Sequence, residues 1–228
     1  MAVSTKQSAL RNQLSAMKNL TLTTFIILLL LATSCVREKK TYYPDGTIKS
    51  VQKYKGKKLN GTSVWYYNNG SKELEVPYLN DQPHGTLIRW FHSGSKELQE
   101  NWKEGKKHGP TSRWDLQGKL TEQVSFYEDS LHGEYLVYYE NGLVKIEGRY
   151  NMGFYDSTWT YYDLNGMKVG EGRYEMGSGI QRAFYPDGKV RLQVPYVNNK
   201  RNGYEIAYNR NGEEVGRTLY KDDVPVWE

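Results

Sequence analysis

The chain has 228 residues, with 31 Lys and Arg against 26 Asp and Glu and a single cysteine, Cys35. One cysteine excludes disulfides, Cys-ligated zinc and a Cys nucleophile in the folded domain. Three of the cations and no acid fall in residues 1–34, so the formal charge of +5 shrinks to +2 in the rest, which argues against a nucleic-acid partner held by its phosphates.

Residues 1–34 carry Lys6, Arg11 and Lys18 ahead of the apolar run 25–32. That run is too short to span a bilayer and fits the h-region of a secretory signal peptide, with Met17 the more natural start. It closes on Leu31-Ala32-Thr33-Ser34-Cys35, which resembles the lipobox of bacterial lipoproteins, whose cysteine sulfur receives a diacylglycerol; Ala32 stands where leucine is commoner. The expected division is a signal peptide over 1–34, lipidated Cys35 with a short charged tether over 35–40, and a repeat domain over 41–228. Such a chain is exported and sits on the cell membrane or outer membrane, facing the periplasm or the exterior.

From residue 41 onward the chain repeats. Turn glycines fall at Gly46, Gly70, Gly94, Gly118, Gly142, Gly166, Gly188 and Gly212, with steps of 24 residues except one of 22. Four residues before each glycine stands an aromatic (Tyr42, Tyr66, Trp90, Trp114, Tyr138, Tyr162, Phe184, Tyr208), and another stands eight after it (Tyr54, Tyr78, Trp102, Phe126, Tyr150, Tyr174, Tyr196, Tyr220). Within a unit the period is two: Val144, Ile146, Gly148 and Tyr150 point one way, and Lys145, Glu147 and Arg149 the other. No helical spacing follows residue 35.

Face parity suggests a three-residue loop closed by a left-handed glycine, and Tyr43-Pro44-Asp45-Gly46 and Tyr185-Pro186-Asp187-Gly188 suit it. A regular ladder then puts the even-numbered residues of the strand before the turn on the apolar face. The short step loses two residues between Tyr174 and Gly179, which keeps the faces. Repeat six points Lys168, Gly170 and Gly172 inward, so a bend or weak point is expected there, and Pro77 and Pro195 should mark frayed strand ends.

Chemistry-bearing residues are few. His84, His108 and His132 stand 24 apart, each before a glycine, but equivalent positions in successive hairpins lie ~9.6 Å apart, too far for one zinc ion. Asn60, Asp156 and Asn202 share the column, as befits a turn position with unusual backbone angles. No metal site, cofactor site or phosphate loop is expected. Gly170-Glu171-Gly172 lacks the rest of a dinucleotide fingerprint, and Glu73, Glu75, Glu97, Glu147 and Glu171 alternate with cations as a solvated ladder rather than a catalytic pair. Asp129-Ser130-Leu131 and Asp156-Ser157-Thr158 resemble an O-glycosylation triplet of exported bacterial proteins, which makes Ser130 and Ser157 candidate modification sites in second turns; Asp-Ser is also ordinary turn chemistry.

The recurring aromatic-Xaa-Asn-Gly, as in Tyr139-Glu140-Asn141-Gly142, followed by a tyrosine and a glycine-bearing turn, resembles the variant MORN repeats of proteins grouped as YwqK-family antitoxins. The resemblance covers 42–228. It implies an all-β fold: an elongated single-layer antiparallel meander of about eight ~24-residue β-hairpin repeats, each contacting its neighbours. The motif says little about a partner, and it is the scarcity of chemistry-bearing residues that points to binding rather than catalysis. The expected function is a membrane-anchored, non-catalytic module for a protein or peptide partner, antitoxin- or immunity-like; an antitoxin must share its toxin's compartment, so an exported chain suits an exported toxin. The alternative is a glycan-binding surface lipoprotein using exposed Trp and Tyr. The expected site is a stripe on the second face of the strand before the turn, centred on Tyr135, Val137, Tyr139, Trp159 and Tyr161, since a single layer leaves that face uncovered.

Overall fold

A computed structural model describes residues 36–227, and the lipobox cysteine, Cys35, lies outside them. The described residues form one open antiparallel sheet without helices, in which strands pair with their neighbours along the chain. One hairpin stands for all. Strands Ser130–Tyr138 and Val144–Asn151 are joined by a three-residue loop. Tyr139 N–H donates to Leu143 O (2.9 Å), Gly142 N–H donates to Tyr139 O (2.9 Å), and Gly142 takes a φ of +83°, a backbone region where only glycine is at ease.

Two kinds of bulge shape the sheet. Tyr138 pairs with Val144 but Val137 pairs with Ile146, so Lys145 is an extra residue, and the same slip recurs beside the three-residue turn of every repeat. The parity expected from a regular ladder is thereby inverted. Residues directly opposite one another share a face, and Gly148 lies opposite Tyr135, Ile146 opposite Val137 and Tyr161, Gly172 opposite Trp159. The odd-numbered stripe therefore lies on the same face as the apolar column of the strand after the turn. It is half of the core rather than a second surface.

The second bulge follows the other turn. Met152 and Gly153 have φ of +48° and +88°, a two-residue turn of the I′ type between Asn151 and Phe154. Beyond the equivalent turn of the preceding repeat, Phe126 pairs with Leu131 while Val124 pairs with Tyr135, leaving two extra residues around His132 and Gly133. The histidine column thus occupies a bulge and not the turn. This bulge cuts three strands into pieces (Lys58–Leu59 and Gly61–Tyr66, Gln82–Pro83 and Gly85–Trp90, Lys200–Arg201 and Gly203–Tyr208), which with the closing strand Val224–Val226 gives 20 segments where eight hairpins imply about sixteen strands. Repeat six pairs Lys168–Glu175 with Ser178–Phe184 without any slip, so its two missing residues are the bulge itself.

Other expectations need correction. Val36–Tyr42 is the outer strand, paired with Ile48–Lys55, so residues 36–40 are no tether. Pro77 and Pro195 are not frayed: each lies inside its strand, Lys72–Leu79 or Val190–Val197, and its carbonyl accepts a bond from the bulge of the next strand (His84 N–H, 2.9 Å; Asn202 N–H, 3.0 Å). Nor is repeat six empty. Added Cβ atoms at Gly148 and Gly172 would overlap the rings of Trp159 and Tyr174, and Gly170 lies against Tyr161, so these glycines are floors on which aromatic rings rest. Val76, Leu98, Val124, Trp159, Tyr174 and Val194 are buried along this face.

Repeats also clasp one another at both edges. Tyr67 donates its hydroxyl to Trp90 O (2.7 Å) and Tyr139 to Tyr162 O (2.8 Å), each reaching the next repeat. At the opposite edge, Asp81 N–H donates to Leu59 O (2.9 Å) and Gly153 N–H to Leu131 O (2.8 Å), so each tip is pinned to the one before.

Candidate functional site

The residues expected to receive a partner are brought together, but inside. Trp159 is only 3% exposed, its ring 5.5 Å from Tyr135, 5.0 Å from Tyr150 and 4.8 Å from Tyr155, and its Nε1–H donates to Arg149 O (3.0 Å). Tyr135, Val137, Tyr139 and Tyr161 are half-buried beside it. The cluster continues through Tyr174 to Tyr196, rings 5.7 Å apart and edge-on. Rings that cover one another, with the Tyr174 hydroxyl donating to Gln181 Oε1 (3.3 Å) as the indole does to Arg149, stiffen the sheet. The stripe was placed outside because the bulge at Lys145 could not be seen in the alternation.

This core has an electrostatic signature. Burial pushes the Tyr161 phenol up to about 12, and burial likewise raises Tyr135, Tyr150, Tyr174 and Tyr196. A tyrosinate is better accommodated in the unfolded chain, so this stability is complete below the unfolded tyrosine value near 10 and is lost as pH rises through the folded values. Alkaline titration should show tyrosinate absorbance and loss of β circular dichroism rising together above about pH 10. Full ionisation of the tyrosines with the sheet intact would contradict the buried cluster.

The opposite face is the open one. Along it Gln123, Leu136, Glu147, Thr160 and Glu171 lie opposite one another strand by strand. Tyr138 donates its hydroxyl to Gln123 Oε1 (2.8 Å) and Tyr162 donates to Glu147 Oε1 (2.6 Å), so the aromatic column before each turn belongs to this face. A shallow, open depression is lined by Glu134, Leu136, Glu147, Arg149, Thr158 and Thr160. Arg149 is exposed, and the Arg173 side chain, 3.4 Å from Glu171, is 77% exposed. Sequence reasoning reads the half of this face that follows the turn, with Glu147 and Glu171, as a solvated charge ladder, but misses that Leu136, Tyr138 and Thr160 of the strands before the turn join it. The even-numbered members of the strand before the turn would have revealed it had the bulge been allowed for.

The other candidates are structural in their contacts. His84 and His132 accept long bonds at Nδ1 from Glu104 N–H and Met152 N–H (3.4 Å each) in the next repeat's tip, and His108 packs on Tyr127 at 5.2 Å. Among the described residues no group of three His, Cys, Asp or Glu is placed to hold a metal. Ser130 follows the tip Glu128–Asp129 and is half-buried. Ser157 is exposed with φ +60° in the bulge rather than in a turn, and its hydroxyl donates to Asp156 Oδ2 (3.0 Å). A clip that sequence reasoning missed links repeats five and seven: Asn199 Oδ1 accepts from Tyr155 N–H and Asn199 Nδ2 donates to Gly153 O, both at 2.8 Å. The short step of 22 was its signal, since losing the bulge lets the later tip reach back.

No curated protein matches the chain. Four stretches, 38–55, 59–80, 131–152 and 178–198, match the family model of the MORN repeat variant. Each contains a strand, the three-residue turn with its glycine and the strand after it, so the matches and the hairpin period together support a MORN-repeat protein.

Proposed function

We propose that the chain is an exported, non-catalytic repeat module, held at a membrane through an acylated Cys35, that offers the polar face of its sheet to a protein or peptide partner. The asymmetry of that sheet carries the reading. One face is closed by its own aromatic rings, while the other runs continuously from strand to strand with Leu136, Glu147, Arg149, Thr158 and Arg173 open to contact. A periodic array of mixed charge, hydroxyl and aliphatic groups suits an extended polypeptide surface. The histidines support a binding role over catalysis, since backbone N–H groups or a packed ring already engage them. Neutralising a toxin, as the antitoxin resemblance implies, is one form such binding takes, with the toxin itself exported. The glycan reading has less support: the exposed rings Tyr42, Tyr127, Tyr204 and Trp227 are scattered over different repeats, and in the aromatic column of the open face Tyr138 and Tyr162 are half-buried with their hydroxyls bonded to Gln123 and Glu147.

The test is crosslinking and affinity capture from native membranes. Arg149→Ser with Arg173→Ser should abolish capture of a stoichiometric protein while the melting temperature moves by no more than about 2 °C, as expected for surface substitutions. Cys35→Ala should move the protein to the soluble fraction or leave the precursor uncleaved. Undiminished capture by the double variant rejects the polar face, and normal processing with unchanged detergent partitioning of Cys35→Ala rejects the anchor.

A further inference from the structure

The near-neutral charge of the chain after its leader conceals a strong polarity. Residues 36–58 hold eight Lys and Arg against two acids, whereas residues 59–228 hold twenty against 24. The sheet gathers these cations at one corner. Val36 pairs with Lys55 and Lys55 pairs with Lys58, so the first described residue lies beside the tip Gly56–Lys57. Arg37, Lys55, Lys57 and Lys58 are all exposed around that tip, and Lys53 stands half-buried just behind it; the acids at the corner are Glu38, opposite Lys53, and Asp81, whose carboxylate is held by Leu59 N–H at its edge.

Two features set this corner apart from the other tips. Nine of the twenty cations beyond residue 58 form ion pairs among the described residues, as in Lys72 with Glu75 (2.6 Å), Lys107 with Glu100 (2.7 Å) and Arg217 with Glu214 (2.6 Å). None of the eight cations of residues 36–58 forms an ion pair among the described residues. Elsewhere, too, the tip residue is often an acid that clips the preceding repeat: Asp81 Oδ1 accepts from Leu59 N–H (2.7 Å), Asp129 from Lys107 N–H (2.8 Å) and Asp223 from Arg201 N–H (2.8 Å). The first repeat has no described tip before it to clip, and its tip carries Lys57 instead. Like charges crowded at one tip repel one another, so the arrangement favours contact with an anion.

We propose that this corner, Arg37, Lys55, Lys57 and Lys58, is a second membrane contact that lays the first repeat onto an anionic lipid surface. The inference rests on the anchor reading, because Val36 directly follows Cys35 and an acyl chain there brings this tip to the headgroups. A single acyl chain holds a protein only marginally, and a polybasic patch is the usual complement. An anionic bilayer fits better than a nucleic acid because the basic surface is one corner three strands wide, ~10 Å across, while the rest of the sheet is net acidic and repels a long polyanion.

The experiment uses the processed full chain and its Arg37→Gln, Lys55→Gln, Lys57→Gln, Lys58→Gln variant. Partition is measured on vesicles of phosphatidylcholine alone and of phosphatidylcholine with phosphatidylglycerol, at about 50 mM and about 500 mM salt, where screening differs several-fold. The native chain should prefer the anionic vesicles by about a hundredfold at low salt, with the preference gone at high salt and gone in the variant. Thermal melting confirms that the variant is folded. Equal partition of both proteins on both vesicles overturns the proposal, as does a native chain that binds duplex DNA more tightly than anionic vesicles. Failure of the anchor reads differently: binding to neutral vesicles disappears while the anionic preference persists.

Discussion

Trp159→Ala is expected to destabilise the domain by about 3–5 kcal/mol, the range for deleting a buried aromatic from a packed core. The ring is 3% exposed and touches Tyr135, Tyr150 and Tyr155 with centroids at 5.5, 5.0 and 4.8 Å. Its loss also strands Gly148, over which it lies, so the cavity opens on bare backbone. Repeats touch mainly their neighbours, so the damage should be local: hydrogen exchange should quicken first in repeats four to seven. Trp227→Ala is the control, since that ring is 83% exposed and its loss should cost less than about 1 kcal/mol. Equal urea midpoints for the two variants would place Trp159 outside the core.

How far the sequence could be read is clearest around that residue. The period, the two aromatic columns and the glycine loop are visible in the chain because each depends on a residue type with a local constraint: glycine at φ +83° in Gly142, proline and aspartate at Tyr43-Pro44-Asp45-Gly46. The bulge residue is different. It is Lys49, Glu73, Glu97, Thr121 or Lys145 in successive repeats, and none of these types signals a bulge. One unmarked extra residue per repeat was enough to turn a correctly noticed stripe, Tyr135 to Tyr161, from core into imagined surface. For the same reason only half of the polar face, the charge ladder with Glu147 and Glu171, is legible in the sequence. The tip-side bulge left a trace in the His-Gly pairs and in the 22-residue step, both of which were noticed and assigned to the turn. The clip of Asn199 to Gly153 left no trace beyond that same short step, because it depends on how the tips of repeats five and seven stack.

The complementary prediction adds an atom rather than removing a ring. A Cβ at Gly148 would stand far inside contact distance of Cδ2 of the Trp159 indole, and one at Gly172 far inside that of the Tyr174 ring, whereas most turn glycines have nothing within 4 Å. Gly148 has no positive φ, so Gly148→Ala introduces no backbone strain and the effect is steric. The ring cannot simply slide, because Tyr135 and Tyr155 flank it and its Nε1–H is tied to Arg149 O. Gly148→Ala should therefore cost about 2–3 kcal/mol by overpacking, although alanine suits a strand better than glycine does. The cycle with Trp159→Ala separates steric conflict from a general weakness of repeat five. Once the indole is gone the methyl has room, and the second substitution should then cost less than about 0.5 kcal/mol or even stabilise by filling part of the cavity. A coupling of about 2 kcal/mol identifies Gly148 as the floor of the aromatic core. Additive losses would mean that the glycine is required for some reason other than the ring above it.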